Sequence, residues 1–457
     1  MSSPVPDVAA KLRAHAARFV KENRLPGAAV GVVHGDELAW SDGIGYADRE
    51  ARRATDSATL HRIASITKTF TGTAIMQLRD AGQLDLDDPA VKHLPELSRA
   101  TAPFGPIEAV TIRRMLSHES GLASEPPGTD WASRTYEGSP ARNLERAEET
   151  GMRIPANRQW KYSNLAYQLL GEIVARVSRR PYVEYVRGEI LNPLGMDATS
   201  FEPLPAALAP RLATAYDARF LSDELVPATP APMVGAEGGL CSCVDDLARW
   251  ISFQLGTGGE REGAQVLSGP SLVEMHTARY LQDPEWTCAW GIAWYAVRRG
   301  EVIWVQHSGG LPGFITTVCF DPKERVGAIA LLNGIGDAEG LAMDLAGIAR
   351  DAVVAAGPPI ELPPAMPPEY SSLLGLYLND QGEIFRLEWR DGMLTMLRTT
   401  DPAWKPTLRA TGVAETFVVE LGFRQSGETV RVGRRSDGRV LSIFKGDETL
   451  VRLEPAE

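Results

Sequence analysis

The 457-residue sequence predicts an α+β fold over roughly its first 355 residues, followed by a small all-β barrel or sandwich. Three observations carry this expectation. Helical periodicity at both ends of the first part encloses several strands, which suits one mainly antiparallel sheet with helices on it. A proline-rich stretch then interrupts the chain at 357–368. Beyond it, short alternating strands are punctuated by Asp-Gly turns. Residues 1–356, 357–368 and 369–457 are accordingly read as α+β domain, stiff linker and all-β domain.

The elements follow in order. Val8, Leu12, Ala16, Phe19 and Val20 share one helical face, with Lys11, Arg13 and Arg18 elsewhere. Ala28 to Val33 and Glu37 to Trp40 read as strands about a Gly35-Asp36 turn. From Ser65, the residues Ile66, Phe70, Ala74 and Leu78 recur at helical spacing, and Gly82 is placed to end the run. Further helices fit Ile112 to Ser117, Leu165 to Ser178 and Val244 to Leu255. The last opens on Ser242-x-x-Asp245, a capping-box pattern. Strands then dominate: Gly291 to Val297, Val302 to Gln306, Thr316 to Phe320 and Val326 to Asn333, before a helix from Ala342 to Ala356. In the last domain, strands are expected over Phe385 to Trp389, Leu394 to Leu397, Phe417 to Leu421, Thr429 to Val432, Val440 to Phe444 and Leu450 to Leu453. Trp389, Trp404 and Phe417 are expected in its core.

Composition narrows the function classes. Hydrophobic residues make up 44% and charged residues 23%, a globular profile. With 47 basic against 59 acidic residues the net charge is −12, which disfavours nucleic acid and anionic membrane surfaces as partners. No apolar run of about 18 residues exists to span a bilayer. The opening residues lack a basic stretch followed by an apolar one, so a cytoplasmic protein is expected. The four cysteines are expected as free, mostly buried thiols. No metal-ligand spacing, phosphate-cradling loop or dinucleotide fingerprint appears, so no cofactor is implied.

Three short motifs carry chemistry. In Ser65-Ile66-Thr67-Lys68 the hydroxyl and the amine lie one helical turn apart, with Ser65 at a helix N-terminus that favours a developing oxyanion. A serine needs such a neighbouring base, and a lysine becomes one only when burial or nearby cations lower its pKa. Tyr162-Ser163-Asn164 precedes a helix; its phenol can relay protons and its amide can bond a substrate carbonyl. His307-Ser308-Gly309-Gly310 lies at a strand end, where glycines admit a substrate backbone and an imidazole can bond a carboxylate or the tyrosine. Each motif alone also has a structural reading, as helix cap, core residue or turn.

Order and flanks decide. The motifs lie about 100 and 145 residues apart, within Leu60-His61-Arg62-Ile63-Ala64-Ser65-Ile66-Thr67-Lys68-Thr69-Phe70, a Ser117-His118-Glu119-Ser120-Gly121 turn, Gly238-Gly239-Leu240, and His307-Ser308-Gly309-Gly310-Leu311-Pro312-Gly313-Phe314. Over roughly residues 10–355 the chain resembles the penicillin-recognising serine hydrolases: class C β-lactamases, D,D-carboxypeptidases and esterases. The C-terminal part, opening Leu374-Gly375-Leu376-Tyr377, resembles the lipocalin-like barrel appended to some members.

The resemblance implies a two-part domain, an antiparallel sheet flanked by helices plus an all-helical part, with the site between them. It implies Ser65 as acylated nucleophile, Lys68 and Tyr162 sharing base and acid duty with the order open, and the Ser65 and Gly310 N–H groups as oxyanion hole. Asn164, His307, Ser308 and Gly309 would bind substrate. His307 replaces the family's more familiar lysine and removes a fixed positive charge, which weakens the case for β-lactam hydrolysis.

The implied function is acyl hydrolysis of esters, D-amino-acid amides or short peptides through an acyl-enzyme. Small-molecule ester, peptide or thioester substrates are the implied partners. Acyl transfer that cyclises nonribosomal peptides would use the same residues, and a non-catalytic penicillin binder would not need an activated serine. His118 is expected to bond local turn backbone, Trp286, Trp290 and Trp294 to pack a core with one of them able to border the pocket, and the 123–159 stretch to wall the substrate site. The C-terminal module is expected to dock beside the cleft or to mediate oligomers.

Overall fold

The computed structural model describes residues 3–129, 139–218, 225–227, 235–256, 260–261, 264–283, 285–357, 365–390, 392–401, 405–421, 426–445 and 448–453. It divides into two compact units, Met1–Gly357 and Pro358–Glu457. Trp404, Asp391 and most of the proline-rich stretch lie outside the described residues.

The first unit is organised by a nine-stranded sheet. In chain order its strands are β1 (Gly27–His34), β2 (Glu37–Asp48), β3 (Arg53–Ala54), β4 (Tyr280–Leu281), β5 (Cys288–Trp290), β6 (Tyr295–Arg299), β7 (Val302–Leu311), β8 (Phe314–Asp321) and β9 (Val326–Leu332). Their spatial order is β4-β5-β6-β7-β8-β9-β1-β2-β3, with antiparallel neighbours throughout. The chain's first strand therefore closes against its ninth, pairing Val30 with Ala330.

Both faces of the sheet centre are buried, so β1 and β9 are almost continuously apolar rather than alternating with polar residues. Val30, Val32, Ala328, Ala330 and Leu332 face α1 (Ala9–Glu22) and the C-terminal helix Ala338–Ala356. Ala29, Val33, Ile329 and Leu331 face the opposite way, into a larger core. That core holds α2 (Thr67–Asp80), α3 (Ile112–Leu116), α4 (Asn164–Ser178) and α5 (Val244–Gln254); Ala338–Ala356 is α6.

α2 is buried on nearly every side, as expected of a helix at the centre of a domain. Thr69 and Thr73 donate to carbonyls three and four residues back, at 2.7 and 3.0 Å, and Thr71 donates across to the Ala236 carbonyl at 2.6 Å. Phe70 stacks on Trp250 of α5 at 3.9 Å, and the Trp250 indole donates to Thr69 at 3.1 Å.

Two local expectations are corrected. Ser242 does not cap α5. It belongs to the short strand Leu240–Ser242, which pairs with His61–Arg62, and its hydroxyl bonds Thr199 at 2.7 Å; Cys243 occupies the cap position without a side-chain bond. The expected strand Gly291 to Val297 is half turn and half strand: Gly291 donates to the Trp294 carbonyl at 2.8 Å in the tight turn that follows β5, and only Tyr295 to Val297 belong to β6. Of the three tryptophans, Trp294 is fully buried while Trp286 is exposed.

The second unit is a closed eight-stranded antiparallel barrel, with neighbours in sequence order: β10 (Gly375–Leu378), β11 (Ile384–Arg390), β12 (Met393–Arg398), β13 (Thr407–Ala410), β14 (Thr416–Leu421), β15 (Thr429–Arg434), β16 (Val440–Lys445) and β17 (Glu448–Arg452). Its core includes Tyr377, Phe385, Leu394, Phe417 and Ile443, with Trp389 partly buried against it. Because each unit encloses its own apolar core, residues 1–357 produced alone are expected to unfold in one cooperative transition and to keep their near-UV circular dichroism. A shortened chain without tertiary signal would overturn this.

Candidate active site

Ser65 sits in a single 3₁₀ turn, Ala64–Ile66, that leads directly into α2. Lys68, in the first turn of α2, points back at it and is fully buried. The Lys68 ammonium donates to Ser65 Oγ at 3.1 Å, to Asn164 Oδ1 at 2.7 Å and to the Glu237 carbonyl at 2.5 Å. Burial pushes its pKa down to about 7, against the nearby carboxylates of Glu237 and Glu125, which raise it. On the other side of the serine, the Tyr162 hydroxyl donates to Ser65 Oγ at 2.9 Å. Burial raises the Tyr162 pKa, so the phenol keeps its proton at neutral pH.

Tyr162 is held by backbone clamps rather than by a regular element. Lys161 N–H donates to the His118 carbonyl at 2.9 Å, Ser163 N–H to His118 Nδ1 at 3.1 Å, and Asn164 N–H to the Ser124 carbonyl at 2.7 Å. Ser163 then caps α4 by accepting from Ala166 N–H at 2.9 Å. The His118 ring lies 4.3 Å from that of Tyr162. Instead of bonding its own turn, as expected, His118 reaches 45 residues along the chain to position the tyrosine.

A cleft of about 540 Å³ opens over Ser65, lined also by Tyr162, His307, Ser308, Gly310 and Trp290. His307 to Gly310 belong to β7, beyond the point where β6 stops pairing at Gln306. Their other edge is paired to β8, Gly310 opposite Ile315. His307 is almost fully buried, and burial with nearby Lys68 pushes its pKa down to about 3. Its Nδ1 lies 2.7 Å from the Ser308 carbonyl, an acceptor, so the ring proton sits there and Nε2 is a bare acceptor. A neutral imidazole in this tautomer has no proton left for a substrate carboxylate.

The structure thus joins Ser65, Lys68, Tyr162 and Asn164 in one hydrogen-bonded group and sets His307, Ser308 and Gly310 on the cleft wall. Two expected substrate contacts are placed differently. The Asn164 amide is engaged at both ends, accepting from Lys68 and donating to Glu125 at 2.8 Å, and does not line the cleft. Gly309 faces inward: a Cβ there would lie 2.1 Å from the Ile63 carbonyl and 2.7 Å from Thr316 Oγ1. The close approach it permits is between β7 and the turn carrying Ser65, not between β7 and substrate.

Sequence reasoning missed Glu125, Glu237, Tyr295 and Glu339. Glu237 directly precedes the Gly238-Gly239-Leu240 flank, and Glu125 lies in the stretch expected to wall the site; Tyr295 and Glu339 carry no local signal. Among the described residues, no cluster of three or more His, Cys, Asp or Glu side chains could hold a metal ion, and no helix is long and apolar enough to cross a membrane.

Gly309→Ala is expected to force β7 off the Ser65 turn, destabilising the protein by about 1–3 kcal/mol and lowering Ser65 reactivity more than tenfold. Thermal unfolding and fluorophosphonate labelling rates measure the two effects. An alanine variant with unchanged labelling would refute the role given to this glycine.

A profile of the beta-lactamase family matches residues 12–352. Protein flp of Staphylococcus aureus (strain COL) is 27% identical over 322 residues, which are 69% of this chain and 61% of flp, so the chain spans about three fifths of that relative. Among solved structures, the octameric penicillin-binding protein homologue from Pyrococcus abyssi is similar at TM-score 0.65 and 22% identity, covering 97% of this chain and 99% of its own. The D-stereospecific amidohydrolase from Streptomyces sp. is similar at TM-score 0.59 and 24% identity, covering 72% of this chain and 96% of its own. At these identities the structural likenesses speak for the fold alone. With three quarters of its length matched by the family profile, the chain belongs to the beta-lactamase family of serine hydrolases.

Proposed function

We propose that the protein is a serine acyl hydrolase that takes an acyl group onto Ser65 from an ester or amide and releases it to water. The observation that carries this reading is one serine oxygen within 3.1 Å of two proton carriers of opposite disposition. Lys68 gives up its proton near neutrality, and Tyr162 holds its own. Neutral Lys68 takes the Ser65 hydroxyl proton as Oγ attacks the acyl carbon. The carbonyl oxygen gains charge between the Ser65 and Gly310 N–H groups, each such donor worth about 3 kcal/mol in the transition state. Tyr162 then protonates the departing alcohol or amine and recovers a proton from Lys68. Water repeats the cycle on the acyl-enzyme.

Esters, D-amino-acid amides and short peptides are the substrates this reading favours. The fold shared with a D-stereospecific amidohydrolase supports the amide class. The neutral His307 argues against substrates that need a carboxylate anchor, β-lactams among them. Intact-mass spectrometry after mixing with p-nitrophenyl esters and D-amino-acid amides is expected to show an acyl adduct that maps to Ser65 and is absent from Ser65→Ala. Equal turnover by Ser65→Ala would refute the assignment.

The pH profile follows from Lys68. Its charged form cannot accept a proton, so activity requires the form that predominates above about 7. kcat/KM is expected to rise about tenfold per pH unit below that point and to level off above it. His307 titrates too low, and Tyr162 too high, to bend the curve between pH 5 and 9. A flat profile over this range would remove Lys68 as the base.

A further inference from the structure

The cleft over Ser65 has a second end, built around Glu339 in the first turn of α6. One carboxylate oxygen of Glu339 accepts from Gln306 Nε2 at 2.7 Å and the other from Tyr295 Oη at 3.1 Å. Tyr295 Oη also lies 2.9 Å from Ser308 Oγ, so a hydrogen-bonded chain runs from the carboxylate to the wall beside the oxyanion position. Both donors to Glu339 are neutral, and among the described residues no lysine or arginine pairs with it or lines the cleft. A carboxylate offers about four acceptor sites, and two are used here. Gln306 is fully buried and Tyr295 nearly so, which fixes the carboxylate in place.

The surrounding surfaces have the same preference. Trp160, Trp290 and Tyr295 line the cleft, with Trp290 5.3 Å from Trp160 and 4.8 Å from Tyr295, ring centre to ring centre. Aromatic rings tolerate a neighbouring cation better than an anion. His307 Nε2 is a buried acceptor with no partner. Acceptors, aromatic rings and an uncompensated carboxylate suit a positively charged donor and repel an anion.

We infer that the Glu339–Tyr295–Trp290 end of the cleft binds a protonated amine on the substrate. That the amine belongs to a substrate rests on the acyl-hydrolase reading, whereas ammonium binding at Glu339 does not. It turns a general acyl hydrolase into one selective for amine-bearing esters and amides: amino-acid amides with a free amino group, or residues with basic side chains.

The test has two arms. In the first, kcat/KM is measured for p-nitrophenyl esters of 6-aminohexanoate and hexanoate, and for D-alanine and N-acetyl-D-alanine p-nitroanilides. The wild type is expected to prefer the amine in at least one pair by tenfold or more, and the pair that responds tells how far the amine sits from the acyl carbon. In Glu339→Gln, which keeps acceptor and donor shape but loses the charge, that ratio is expected to fall to near one. In the second arm, calorimetry follows n-hexylammonium and n-hexanol binding to Ser65→Ala and to Ser65→Ala/Glu339→Gln. Saturable ammonium binding, weakened at least tenfold by the second substitution, is expected. Equal kcat/KM within both wild-type pairs, or ammonium binding no weaker in the double variant, overturns the subsite and leaves acyl hydrolysis standing. Ammonium binding without turnover of any ester or amide overturns the hydrolase reading and leaves the subsite standing.

Discussion

Everything at the site depends on one buried ammonium. A lysine amine in its charged form has three hydrogens, and here each has one acceptor: Ser65 Oγ, Asn164 Oδ1 and the Glu237 carbonyl. Two of these are carbonyl oxygens, which only accept. When Lys68 loses a proton, its new lone pair must therefore face the single neighbour able to donate, the Ser65 hydroxyl. The arrangement converts loss of charge on the lysine into orientation of the serine proton toward it. Burial makes that loss accessible near neutrality, while the Glu237 and Glu125 carboxylates keep the buried charge from being expelled altogether.

The fold supplies this geometry from distant segments. α2 brings Lys68, and the 3₁₀ turn leading into it brings Ser65, with the helix packed to α5 through Phe70 and Trp250. The His118 clamp brings Tyr162 and Asn164 from the start of α4. The sheet brings β7, whose last five residues outrun β6 and present an edge beside Ser65. Gly309 sets the distance between these parts, since any side chain there would meet the Ile63 carbonyl. A sheet buried on both faces cannot slide in register without exposing one of its two cores, so the edge is held to the turn with little freedom.

What could be read from the sequence divides along the same line. Ser65 and Lys68 were legible because their relation is local, one helical turn. Tyr162, Asn164 and His307 were legible because their flanks and order resemble a known family. The barrel was legible from alternation and turns and the middle of the sheet from its apolar runs, although the short strands β3, β4, β5, β10 and β13 went unseen. The residues that set the electrostatics were not legible. Glu125, Glu237 and Glu339 act through contacts across 33 to 169 residues, and their own residue types and spacing do not distinguish them from solvated acids. Ser242 failed as a cap for a related reason: a strand pairing formed by residues far away claimed it first.

Two backbone conformations show how firmly the surrounding structure constrains the site. Ala64, directly before Ser65, has φ +46°, and His118, behind Tyr162, has φ +62°. Neither is glycine, and such conformations cost about 1–3 kcal/mol each. Each buys a direction: the left-handed step at Ala64 starts the 3₁₀ turn that lifts Ser65 out of line with α2, and the one at His118 turns its ring toward Tyr162. Glycine would relieve the strain at either place but would lose what the side chain does. The Ala64 methyl packs with Ala47, Ala213, Ala215, Leu311 and Phe314, and the His118 ring carries the bond to Ser163. Strain persists at both positions because the groups that impose it are the groups that hold the serine and the tyrosine 2.9 Å apart.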